Sequence, residues 1–239
     1  MQNIFIGKKQ LLACVLLLFA AISVLFYFNL KQSQTVATNI QEPYYQGTAK
    51  NAVSLIINVD WGEEYLPAML KLMQDRNIKV SFFLTGRWTE KNPQLAAEIM
   101  LAGHEIGNHG YSHKSPNNSS LEENMKEISE TEKAIYNNTL VKTILYGPPS
   151  GEREDHVLQA AAMLNYQVVL WSLDTIDWQK PSADVICQRI LPRLHGGAII
   201  LAHPTASTLE ALPRLFDGIA EQGYKIISVS DNIGCFDNE

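Results

Sequence analysis

Gly103-His104-Glu105-Ile106-Gly107-Asn108-His109-Gly110-Tyr111-Ser112-His113 is the stretch that decides how this chain is read. A short glycine-bounded segment ends in two histidines four residues apart. From a helical turn or a tight loop, two imidazoles at that spacing can point the same way. A divalent metal of the zinc type accepts that arrangement. Alone the pair is weak evidence, because surface loops collect histidines by chance. Its position at the apparent end of a strand directs attention to the other strand ends.

From Ala52 onward the chain alternates between two textures. Runs of β-branched and aromatic residues predict strands at Val53–Val59, Lys79–Leu84, Val141–Tyr146, Gln167–Trp171, Ala198–Ala202 and Lys225–Val229, with His104–Asn108 as a shorter seventh. Between them, apolar residues recur at helical spacing. Examples are Tyr65, Met69, Leu72 and Met73, or Leu209, Leu212, Leu215 and Ile219. Strands alternating with helices imply parallel β/α units. About seven such units fit a closed or nearly closed barrel, whose chemistry sits at the carboxyl ends of the strands.

Those ends carry polar groups. Asp60 leaves the first strand as a candidate base or metal ligand, with a helix cap before Glu63 and Glu64 as the plainer reading. Tyr146-Gly147-Pro148-Pro149-Ser150-Gly151 reads as a rigid turn. Trp171, Asp174, Asp177 and Trp178 share one stretch. Aromatic faces pack on sugar rings, and carboxylates accept hydroxyl hydrogen bonds or tune a histidine. His203 leaves another buried strand as a candidate acid or base, against the alternative of a satisfied core residue.

Composition sets bounds. The 239 residues are 46% hydrophobic and 18% charged, with net charge −6 and scattered basic residues. Nothing there would track the phosphates of a nucleic acid. The first thirty residues differ: Lys8 and Lys9 precede an apolar run from Leu11 to Phe28. Its length approaches the roughly 20 residues that span a bilayer. An uncleaved anchor is expected over a signal peptide, with the amino terminus cytoplasmic and the domain outside the cell membrane. The organisation expected is an anchor over 1–30, a polar linker over 31–50 and one domain over 51–239. Of three cysteines, Cys187 and Cys235 read as unpaired thiols rather than a disulfide, and Cys14 lies in the apolar run.

In this order, the segments resemble the motifs of the polysaccharide deacetylases, the carbohydrate esterases with a NodB homology domain. The resemblance covers about residues 52–232. Gly103–His109 with His113, Asp174-Thr175-Ile176-Asp177-Trp178, and Ile199-Ile200-Leu201-Ala202-His203 carry it. Asn58–Glu64 and the loop 174–181 look most like the sporulation-associated branch. The resemblance implies an irregular, partly open (β/α)7 barrel. It also implies removal of acetyl groups from the amide nitrogens of a cell-wall or spore-envelope glycan. By the same resemblance Asp60 is the catalytic base, His109 and His113 are ligands of a divalent metal such as zinc, and His203 is the general acid. Asp177 orients His203, and Trp178 walls the acetyl pocket. Trp171, Asp174 and Pro149 would line the substrate groove.

Two departures matter. The family has a second aspartate, a metal ligand, where this chain has Trp61. It also has an arginine that holds the base where this chain has Gly147. A smaller change puts Gly110 where the family has Ser or Thr. Three readings follow: a deacetylase with a rearranged metal site, a glycan binder without turnover, and a structural envelope component with a vestigial groove.

Overall fold

The computed structural model describes residues 17–25, 27 and 41–235. The chain divides into two compact units, Met1–Ile40 and Gln41–Glu239. In the first, residues 17–25 and 27 are helical. The rest of the expected span, with Lys8, Lys9, Cys14, Lys31 and the linker over 31–40, lies outside the described residues. Among the described residues no helix is long and apolar enough to cross a membrane. The expected membrane span therefore finds no support there.

The second unit is built on β1 (Ala52–Val59), every residue of which is buried. Its near-continuous apolar run suits a parallel strand covered on both faces. β1 pairs in parallel with β2 (Ser81–Leu84) and β7 (Ile199–Ala202), setting Ile57 against Phe82 and Ala202. β3 (Glu105–Asn108), β4 (Leu145–Tyr146) and β5 (Gln167–Val168) extend the sheet beyond β2. β6 (Leu173–Asp174) joins β7 on the other side, and β8 (Lys225–Ile226) pairs with the start of β1. The order is β5-β4-β3-β2-β1-β7-β6 in an eight-stranded parallel sheet that curls into a half-barrel. All strands therefore present their carboxyl ends to one rim.

Helices α1 (Leu66–Asp75), α2 (Gly86–Lys91), α3 (Pro93–Leu101), α4 (Leu121–Thr139), α5 (Asp155–Met163), α6 (Ala183–Ile190) and α7 (Ala206–Glu221) connect the strands. α8 (Val229–Ile233) follows β8. α4 opens with a capping box, Ser120 and Glu123 each satisfying the other's backbone N–H. The large core sets Met69, Met73 and Leu66 of α1 and Leu212 and Leu215 of α7 against Val53, Leu55, Ile57 and Val59.

Three differences from the sequence reading stand out. Among the described residues there are eight strands rather than seven, because Leu173–Asp174 pairs with Ile200 and Leu201 inside a stretch read as loop. The expected strand at Val141–Tyr146 shrinks to its last two residues. Val229, read as the end of a strand, starts α8, whose first turn Ser228 caps. Cys187 and Cys235 are both free thiols.

Residues 44–47 fall in the stretch read as linker, yet they pair with the domain. The Tyr44 N–H donates to Val168 O at 2.9 Å, and the Leu170 N–H donates to Tyr44 O at 2.8 Å. The Gly47 N–H donates to Gly197 O at 2.7 Å.

Phe83 explains two glycines. A Cβ at Gly107 would lie 2.6 Å from its ring, and one at Gly147 2.9 Å. Phe83 is fully buried. It fills the interior over both strands, so position 147 cannot bear a long side chain while Phe83 stays.

His104 is buried at the start of β3, where its Nδ1 accepts the Val80 N–H at 3.2 Å. Burial, and then the Lys79 ammonium, push its pKa down from 6.5 to about 4. The neutral ring's contribution is complete above the unfolded value of 6.5 and is lost as pH falls toward about 4. His104→Asn keeps an acceptor for Val80 but cannot titrate. It is expected to recover on the order of 2 kcal/mol of the stability lost between pH 7 and pH 4. Urea midpoints at the two pH values check this, and equal losses in variant and parent would refute it.

Candidate active site

Asp60 leaves β1 beside the exit of β2, and the two exits are joined through its carboxylate. One oxygen accepts from Thr85 Oγ1 at 2.8 Å and from Arg87 Nε at 2.7 Å. The other accepts from the second arm of the same guanidinium. Burial raises the Asp60 pKa, but the hydrogen bonds from Arg87 and Thr85 and the Arg87 charge outweigh it and leave it below the ordinary value. The bidentate fork also fixes the plane of the carboxylate.

Arg87 was missed by sequence reasoning, which looked for the counter-charge at position 147. Phe83 fills the space there, and the arginine arrives instead in the first turn of α2. The available signal was adjacency: the exits of the first two strands are neighbours, so a cation two residues past Thr85 can reach Asp60.

β3 delivers the histidines. His109 is 2% exposed, and its Nδ1–H donates to Gly147 O at 2.6 Å. That bond fixes the tautomer and leaves Nε2 unprotonated. Burial first, then the neighbouring His113, lower its pKa to about 3, so the ring is neutral at physiological pH. His113 stands edge-on to it, with ring centroids 5.0 Å apart. The connecting loop is held by Glu127 of α4, which accepts from the Ser112 N–H at 2.7 Å and its hydroxyl at 2.8 Å. This anchor helps hold His113 at a positive φ of 55°.

Beyond β7, the His203 Nδ1–H donates to Asp177 Oδ1 at 2.7 Å, and its backbone N–H donates to Oδ2 at 2.6 Å. The Thr208 hydroxyl also donates to Oδ2. Asp177 has no exposed surface. His203 Nε2 is thereby left for the pocket. The Trp61 ring lies nearly parallel to His203, at 8° and 6.1 Å between centroids. Trp61 is 45% exposed. Its successor Gly62 has φ +86°, and a Cβ there would lie 2.1 Å from Pro204 O. Only glycine fits that approach, which pins the Trp61 turn against the loop after β7.

These groups share one pocket of about 470 Å³, lined by Asp60, Trp61, His109, His113, Trp171, Asp174, Trp178 and His203, together with Asn58, Ser150 and Leu201. Asp177 stands behind His203. Pro149 is buried in the turn Pro149–Gly151, and its neighbour Ser150 lines the pocket in its place.

The donor set is too small for a divalent metal centre of the usual kind. Among the described residues no group of three or more His, Cys, Asp or Glu is arranged to hold one. Trp61 stands where the resemblance puts the metal carboxylate, and Asp60 is tied to Arg87. A catalytic zinc usually has three protein ligands. His109 and His113 supply two, so the residues present do not fit such a centre.

The family model for polysaccharide deacetylase matches residues 46–169. The chain belongs to the polysaccharide deacetylase family. It is 39% identical over 208 residues to the uncharacterised protein YlxY of Bacillus subtilis, covering 87% of this chain and 65% of that relative. The chain thus spans just under two thirds of that relative's length. It is 31% identical over 189 residues to a peptidoglycan-N-acetylglucosamine deacetylase of Bacillus cereus, covering 76% of this chain and 88% of the relative. Among solved structures, a CE4 family pseudoenzyme from Bacillus anthracis matches with TM-score 0.78 and 39% identity, over 80% of this chain and 69% of that one. A mutant of the pseudoenzyme with restored enzymatic activity matches with TM-score 0.78 and 38% identity, over 80% and 71%.

Proposed function

We propose that this protein is a polysaccharide N-deacetylase acting on N-acetylated glycan of the peptidoglycan type. The observation that carries the reading is the convergence of Asp60, His109, His113 and His203 on one tryptophan-walled pocket, with Asp177 behind His203. The reaction adds water across the amide: the C–N bond breaks, and acetate and a free amine result. Asp60, held as a carboxylate by Arg87, accepts a proton from the attacking water. His203 gives a proton from Nε2 to the departing nitrogen, and Asp177 stabilises its charged form. Family chemistry is metal-dependent in general, but the residues here fall one ligand short, and no step is derived through a metal.

A second reading, glycan held without turnover, is favoured by one observation: an indole occupies the corner where the metal carboxylate is expected. The finer expectations are carried as proposals too. The curled half-barrel of eight parallel strands corresponds to the NodB-type fold, with one strand more than the seven expected. The apolar run Leu11–Phe28 anchors the chain in the cell membrane with the domain outside. The likeness of 58–64 and 174–181 to the sporulation-associated branch points to spore-envelope glycan.

Acetate release separates the two readings. The purified chain is given peptidoglycan and N-acetylglucosamine oligomers with added zinc, cobalt or manganese. Release that disappears in His109→Ala supports the deacetylase. No acetate from any combination sinks it.

A further inference from the structure

The pocket's charges are largely spoken for. The charge of the Asp60 carboxylate is balanced by the two-armed contact with Arg87. The Asp177 carboxylate is closed by His203. His109 is buried, and its Nδ1–H is committed to Gly147 O. Among the described residues that line the pocket, Asp174 is the one carboxylate without a cationic partner. Such a cavity offers a metal ion little, since His109 and His113 leave it one protein ligand short of the usual catalytic set. It suits a neutral, polyhydroxylated ligand whose hydroxyls donate to Asp174.

Its walls point the same way. Trp61 and Trp178 are large aromatic groups left exposed at 45% and 57%. Both border the pocket, along with Trp171. Exposed indoles around a concavity are rare unless something covers them, and the flat faces of sugar rings do so well. Trp61 is also preorganised. His203 stacks on it, and Gly62 is wedged against Pro204. A rigid platform loses little freedom when a ligand docks. Asn58, another wall residue, is 6% exposed, and its side-chain oxygen has no hydrogen-bond partner. An amide N–H or a sugar hydroxyl would satisfy it.

We propose that Trp61 has turned the metal corner of this pocket into a sugar platform, making a metal-independent binding site for an uncharged N-acetylated sugar. The inference rests on the reading that the pocket takes N-acetylated glycan. It differs in placing the affinity on an indole rather than on a metal ion.

The test is calorimetric binding of a chitin-type N-acetylglucosamine tetramer to the full-length purified chain, in chelator and in excess zinc. The expected affinity is the same within about twofold in both, and Trp61→Ala weakens it by about tenfold, as loss of an aromatic contact would. Trp61→Phe keeps a flat face and should recover most of the loss, while circular dichroism shows each variant folded. Binding that vanishes in chelator overturns the inference and leaves the glycan reading intact. Equal affinity in Trp61→Ala also overturns it. No binding under either condition overturns both.

Discussion

Replacing Asp177 by alanine is expected to lower the unfolding free energy by about 3 kcal/mol, because one buried carboxylate satisfies three hydrogen-bond donors. The carboxylate has no exposed surface and accepts from the His203 backbone, the His203 ring and the Thr208 hydroxyl. Alanine strands all of these donors. Burial without a partner costs each of them, and hydrogen bonds to charged groups are the stronger kind. The damage reaches the start of α7, where Thr208 also donates its N–H to the Thr205 cap at 3.0 Å. For a domain of this size the loss corresponds to a fall in Tm of roughly 10 °C. Thermal melts of Asp177→Ala, with Asp177→Asn as the milder partner, measure it. A change below about 1 kcal/mol would mean that Asp177 does not hold the rim together.

Trp61→Asp is expected to change metal binding most. The substitution places a carboxylate beside the two imidazoles and completes the usual three-ligand set. Even second-shell changes move metal affinity by about 10–100-fold, so a new first-shell ligand should tighten zinc binding by about a hundredfold or more. Zinc titration by calorimetry reads the gain directly. Acetate release from N-acetylglucosamine oligomers should rise with it, because Arg87 already holds Asp60 and Asp177 already holds His203. The same substitution should cost glycan affinity in chelator, since the indole is gone. Unchanged zinc affinity would show that His109 and His113 are not set for a shared ion.

Much of this site could be read from the chain because parallel strands carry their signals at their ends. Asp60 and His203 each follow an apolar run, His109 follows a short glycine-bounded strand, and the sheet brings their ends to one rim. The readable strands were those buried on both faces, such as β1 and β7. β6 was lost because two residues have no periodicity, and because its polar Asp174 reads as loop. Pro149 was assigned to the groove by the resemblance, but its turn does not say which residue faces inward, and Ser150 does so. Arg87 was invisible for a different reason. Its partner is set by which strands are neighbours, and by Phe83 closing the other approach. Sequence spacing encodes neither.

The strand pairing also sets an order of events as the chain leaves the ribosome. Tyr44 and β1 are made first, yet they wait for partners made last. Tyr44 needs Val168 and Leu170, while β1 needs β7 and β8. β1 and β2 can meet early, but β1 has an open edge until Ile199–Ala202 emerges. Such long-range pairing is slow, since loop closure comes before any reward. For most of its synthesis, the longest strand of the domain is half-finished and open to wrong partners. A chain built this way should lean on a holding chaperone more than its finished stability would suggest.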